Sequence, residues 1–86
     1  MIEFYSPVCA GCEALEPTYE KLAHAWGDRV VVGQVDVRDH PAVAKEWTIM
    51  GTPTVIFFAR GQPLSRLTGA QGYQQYEREL QHLVAS

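Results

Sequence analysis

Apolar and polar positions along this chain follow two periods that exchange places several times. Residues 1–5 form a short apolar and aromatic run, which predicts a β-strand, and Ser6-Pro7 ends it. Cys12, Leu15, Tyr19, Leu22 and Trp26 then recur at steps of 3, 4, 3 and 4. That is the spacing of one helical face, so a helix is predicted over residues 10–26. Pro17 falls inside the pattern and is expected to kink the helix. Gly27-Asp28 stops it.

Residues 30–37 are predicted as a strand, because Val30, Val31, Val32, Val35 and Val37 are β-branched. Asp39-His40-Pro41 has the composition of a helix start, with Pro41 near the first helical position, and a short helix to about Trp47 follows. Residues 55–59 predict a buried strand. Arg60-Gly61 predicts a tight turn, and residues 63–68 a weaker strand whose proline points to an edge. Tyr73, Tyr76, Leu80 and Leu83, spaced 3, 4 and 3, predict a last helix over residues 73–84. The order is β-α-β-α-β-β-α. The first β-α-β unit is expected to be parallel and right-handed, and residues 55–68 an antiparallel hairpin. Helices then cover both faces of a four-stranded mixed sheet, an α/β fold.

The chain has 86 residues, 47% hydrophobic and 20% charged, which fits a single domain over residues 1–86. A chain this small buries roughly 60–65% of its unfolded surface, so its expected stability is about 5–10 kcal/mol. Disorder does not fit the apolar content and the net charge of -3. Seven basic residues against ten acidic ones leave no electropositive footprint for nucleic acid. No apolar run approaches the length of a membrane-spanning helix, about 18 residues. Neither the basic segment nor the apolar core of a signal peptide is visible. A cytoplasmic setting is therefore expected; a periplasmic setting, or a domain excised from a longer chain, would give the same pattern.

The two cysteines, Cys9 and Cys12, are too few for a disulfide scaffold. A bridge closing so short a loop constrains the unfolded chain little, so the pair points to reactivity. Cys9-Ala10-Gly11-Cys12 falls where the first strand gives way to the first helix. Unpaired N–H groups and the helix dipole favour an anion there, and activated thiols at such sites titrate in a range of roughly 3.5–7.5. Cys9 is expected to be exposed at the lip of the helix. Cys12, one turn in on the apolar stripe, is expected to be buried. The pair is thus asymmetric: Cys9 attacks, and Cys12 resolves the mixed disulfide.

The segment Glu3-Phe4-Tyr5-Ser6-Pro7-Val8-Cys9-Ala10-Gly11-Cys12 resembles the active-site segment of the thioredoxin superfamily, that is, of thioredoxins and protein disulfide isomerase domains. Pro17, eight residues after Cys9, is similar to the proline of the family's active-site helix. Val35-Asp36-Val37 with Pro41 resembles its next strand and helix start, and Gly51-Thr52-Pro53-Thr54 its cis-proline loop. Phe57-Phe58 and Thr68-Gly69-Ala70 match its final hairpin. The chain resembles a minimal form that opens at the strand before the cysteines, without the family's usual first strand and helix. Residues 30–37 then become a sheet edge, which proteins normally protect.

The resemblance implies a thiol–disulfide oxidoreductase whose redox group is the Cys9–Cys12 pair, with no cofactor and no metal. It implies a cis Thr52–Pro53 bond, whose cost over trans is only about 0.5–1 kcal/mol, and a Thr52 backbone that pairs with an extended substrate segment. Val8, Ala10, Gly11, Thr52, Pro53 and Gly69 are the implied substrate-binding positions. Glu3 matches the buried carboxylate that takes the proton of Cys12 through a water; burial raises such a pKa. Implied partners are protein disulfides and a recycling reductase, such as thioredoxin reductase, or a small thiol. The expected state is a monomer, with weak dimerisation possible through the edge at residues 30–37.

The sequence departs from the family at four places. Gln34 replaces the lysine that often accompanies the carboxylate, which is expected to raise the Glu3 pKa further. Val8 stands where thioredoxins usually carry tryptophan. Ala10-Gly11 is neither Gly-Pro nor Gly-His, and the absence of a histidine leans towards a reductant. The fourth is the opening at the strand before the cysteines. A glutaredoxin resembles the chain less, since Cys-Pro-Tyr-Cys is missing. An isomerase or oxidase would use the same pair in the opposite direction, and a non-catalytic module would use it to hold zinc or a partner. For zinc, only His24, His40 and His82 could join the cysteines, and none has a tight ligand spacing.

Overall fold

Val55, Ile56 and Phe57 are fully buried, because the strand that carries them has a neighbour on each side and side chains against each face. The computed structural model describes all 86 residues. Its elements are β1 (Ile2–Tyr5), α1 (Ala10–Trp26), β2 (Gly33–Asp36), α2 (Pro41–Glu46), β3 (Thr54–Ala59), β4 (Gln62–Thr68) and α3 (Tyr73–Ala85). The sheet runs β2-β1-β3-β4. β1 is parallel to β2 and antiparallel to β3, and β3 is antiparallel to β4. The expected α/β order and the mixed four-stranded sheet are present.

Strand pairing sorts the side chains by face. Glu3 lies opposite both Gln34 and Val55, so these three share the face against α1 and α3. There Leu15, Tyr19, Leu22, Trp26, Val55, Phe57, Tyr76 and Leu80 form one buried cluster with Met1. The predicted stripe of α1 supplies its whole buried face, Cys12 included. Alternation turns Phe4 and Ile56 to the opposite face, the side of α2. That helix buries none of its own residues. Trp47, at its end, meets Phe58 edge-on with ring centroids 5.0 Å apart.

Two local devices shape the hairpin. Arg60 and Gly61 both take positive φ, 53° and 77°, as a two-residue turn matched to strand twist requires. The register then slips beside Phe58, which pairs with Pro63. Pro63 has no N–H for a ladder, and β4 is an edge as its proline indicates.

One element is shorter than expected. The strand predicted over residues 30–37 forms only at Gly33–Asp36. At one end, the Val30 N–H is committed to Trp26 O at 2.9 Å, closing the turn after α1. At the other, Arg38 N–H donates to Asp36 Oδ1 and His40 N–H to Asp36 O, which bends the chain away. Val30 and Val32 still pack against the core, while Val31 is exposed. β-branching marks an apolar segment there, but competing turn hydrogen bonds decide its ladder. The strand is a sheet edge, as expected, and a short one.

Candidate active site

Cys9 is the N-cap residue of α1, in extended backbone conformation, and its sulfur accepts from the Cys12 N–H at 3.0 Å. A cap residue supplies an acceptor for one of the helix's unpaired N–H groups; here that acceptor is the reactive atom. Cys9 and Cys12 are joined as a disulfide, with Cα atoms 5.2 Å apart. Cys12 is buried on the core stripe. Cys9 is half-buried rather than fully exposed, because a second segment closes over it: the Thr52 hydroxyl donates to Cys9 Sγ at 3.4 Å. The sequence points to Thr52 for its backbone; the role of its hydroxyl is not legible there.

The Thr52 loop is tied down on both sides. Thr54 Oγ1 donates to Gly51 O at 2.7 Å, and Gly69 N–H donates to Pro53 O at 2.8 Å. The Thr52–Pro53 peptide is cis, and Pro53 is buried. A Cβ on Gly11 would lie 3.0 Å from Pro53 Cδ, so the absence of a side chain at Gly11 lets the helix start and the loop touch. Gly69, at φ +80°, holds the loop with its own N–H. The Thr52 backbone N–H and C=O have no partner within the chain. Val8 and Ala10 are exposed beside the pair, and so is Met50, at 89%, on the approach to Thr52. Cys9, Cys12, Val8, Ala10, Gly11, Thr52, Pro53 and Gly69 thus gather at one end of the sheet.

Glu3 lies behind Cys12, only 1% exposed. Gln34 Nε2 donates to Glu3 Oε1 at 2.9 Å, which follows from their facing positions on β1 and β2. A polar cavity of about 360 Å³, lined by Glu3, Cys12, Glu13, Glu16 and Gln34 among others, connects the carboxyl to the second cysteine. Burial pushes the Glu3 carboxyl above the ordinary carboxylate range; the Gln34 hydrogen bond opposes the shift, and the Glu16 charge adds to it. No group of three or more His, Cys, Asp or Glu side chains is arranged to hold a metal ion, and no helix is long and apolar enough to cross a membrane.

Comparison with known proteins gives the same outline. The sequence model of the Thioredoxin family matches residues 1–82. A thioredoxin of Mycolicibacterium smegmatis is 34% identical over 82 residues, covering 93% of this chain and 73% of its own length. The bifunctional thioredoxin reductase/thioredoxin of Mycobacterium leprae is 31% identical over 98% of this chain, which spans only 18% of that longer protein. The crystal structure of the thioredoxin of Malassezia sympodialis superposes with a TM-score of 0.88 at 28% identity, over 96% of this chain and 72% of the other.

Proposed function

Because the chain belongs to the thioredoxin family and is a thiol–disulfide oxidoreductase, we propose that it works in the reducing direction, on disulfides of folded or unfolding proteins. The observation that carries Cys9 as the attacking sulfur is the position of its Sγ, which accepts from the Cys12 N–H at 3.0 Å and from the Thr52 hydroxyl at 3.4 Å; the reducing direction rests on Ala10-Gly11, which places no imidazolium beside that sulfur to stabilise the dithiol form further. Two donors and a helix N-terminus favour negative charge on that sulfur.

In the reduced protein the Cys9 thiolate attacks one sulfur of a substrate disulfide. The substrate S–S bond breaks, its other sulfur leaves as a thiolate and takes a proton, and a mixed disulfide forms on Cys9. Cys12 then gives its proton, through water in the polar cavity, to the Glu3 carboxylate. Its thiolate attacks Cys9 Sγ, the mixed disulfide bond breaks, and the second substrate sulfur leaves as a thiolate and takes a proton from water as Glu3 gives its own back to the cavity. Two electrons and two protons pass to the substrate, and the protein is left with the Cys9–Cys12 disulfide.

The free N–H and C=O of Thr52 offer an extended substrate segment the pairing of an added strand. Val8 and Met50, exposed apolar side chains, flank that segment. A reductase or a small thiol returns the pair to the dithiol. We place this chemistry in the cytoplasm and assign it to a monomer, since an edge strand as short as β2 offers little ladder to a second copy. Insulin reduction with dithiothreitol as recycling thiol tests the reading: Cys9→Ser abolishes it, and retained turnover would refute the mechanism.

A further inference from the structure

The segment that delivers Thr52 to the site leaves α2 through a strained turn. Ile49 N–H donates to Ala44 O at 2.9 Å and Thr48 N–H to Lys45 O at 3.2 Å. These two bonds form the closing pattern that ends many helices with one left-handed residue, usually glycine. Here that residue is Thr48, at φ +54°. For a β-branched side chain this conformation is an outlier, which persists only where the surroundings impose it.

The surroundings are identifiable. On β4, Arg66 pairs with Ile56 and so points to the α2 face. Its guanidinium donates to Trp47 O at 2.8 Å and to Thr48 O at 3.2 Å. The two carbonyls flank the strained residue and belong to the helix end, where a cation is favoured. α2 buries no side chain of its own fully, and this clamp and the Trp47–Phe58 contact tie its end to the sheet.

We infer that Arg66 is a positioning residue for protein-substrate binding: by clamping Trp47 O and Thr48 O it holds the left-handed turn that sets where Met50, Gly51 and Thr52 stand beside Cys9. The inference rests on the reading that Cys9 attacks protein disulfides whose extended segment pairs with Thr52. A large protein disulfide needs that loop in place, whereas a small aromatic disulfide reaches the Cys9 sulfur without it.

The test compares second-order rate constants of the pre-reduced protein with insulin and with dithiobis-nitrobenzoate. In Arg66→Met, which keeps the aliphatic stem, the rate with insulin falls about fivefold while that with the small disulfide stays within about twofold. Adding Thr48→Gly, which makes the left-handed turn comfortable without the clamp, restores the insulin rate. Equal losses on both substrates, no loss on either, or a double variant as impaired as Arg66→Met would overturn the inference. Should Arg66→Met not fold, Arg66→Lys is read for the same split between substrates. Cys9→Ser serves as the control: if it still reduces insulin, the underlying reading fails, whereas an inactive Cys9→Ser beside an unaffected Arg66→Met removes this inference alone.

Discussion

The hydroxyl of Thr52 donates a hydrogen bond to the sulfur of Cys9 across 43 positions of sequence. The contact joins the helix that carries Cys9 to the loop proposed to receive the substrate. On the proposed mechanism one residue serves both ends of the reaction, its hydroxyl the thiolate and its backbone the substrate.

Thr52→Val keeps the shape and removes the donor. A hydrogen bond of this kind is worth about 1 kcal/mol, or roughly a fivefold effect. Alkylation of Cys9 by iodoacetamide at mildly acidic pH is expected to slow by about that factor, as a smaller fraction of the thiol is ionised. An unchanged alkylation rate would show that the Thr52 hydroxyl does not reach the sulfur of the reduced protein.

Gly11→Ala brings two opposed effects. Alanine within α1 favours the helix by about 0.5–1 kcal/mol over glycine. The added Cβ meets Pro53 Cδ at 3.0 Å, and Pro53 is held by Gly69, so the loop must shift. Stability in urea is expected to stay within about 1 kcal/mol of the parent, while insulin reduction slows several-fold. Full activity together with higher stability would mean that the contact yields freely.

The buried carboxyl of Glu3 makes stability depend on pH. Its folded pKa lies above the unfolded value, mainly through burial, with the Glu16 charge adding and the Gln34 hydrogen bond opposing. The stabilising contribution belongs to the protonated form. It is complete below the unfolded pKa and is lost as pH rises through the folded one. Glu3→Gln is thus expected to be more stable than the parent at neutral pH, with the difference vanishing in acid. Gln34→Lys is expected to lower the Glu3 pKa and move the pH–rate profile of mixed-disulfide resolution towards acid. The groups facing Glu3 from α1 and α3, Tyr19 and Tyr76, stay neutral across this range, since burial raises both. A profile that does not move would separate Glu3 from the proton transfer.

Tyr76 links the core to the site. Its hydroxyl accepts from the Gln71 N–H at 3.1 Å and donates to Gly69 O at 3.3 Å, and Gly69 in turn holds Pro53. Tyr76→Phe leaves both backbone groups without that partner and is expected to cost about 1–2 kcal/mol. Denaturant unfolding measures it; a loss below a few tenths would mean that water replaces the hydroxyl.

The parts of the molecule written in local patterns are legible in the sequence. The stripe from Cys12 to Trp26 marks α1 with its buried face, and Arg60-Gly61 marks the hairpin turn. The placement of Cys9 at a helix start follows from the strand and helix on either side of it. What escapes depends on partners far along the chain. Residues 30–32 have strand composition, yet Val30 spends its N–H on the end of α1. The lip of a helix predicts an exposed Cys9, yet Thr52 partly covers it. Nothing around Thr48 signals a left-handed residue, because the guanidinium beside it comes from β4, 18 positions away. Gln34 beside Glu3 is readable only through the resemblance, which supplies the strand pairing.

The two sulfurs lie three positions apart, and so they can meet in a chain with no tertiary structure at all. The hydrogen bond from Thr52 cannot. Oxidation of the pair and assembly of the fold are therefore separable events: the bridge can close in an unfolded chain, but only the finished sheet confers selectivity on it. The rate at which Cys9 is discriminated from an ordinary thiol thus reports on folding of the whole domain, and recovery of that rate marks the arrival of the native state.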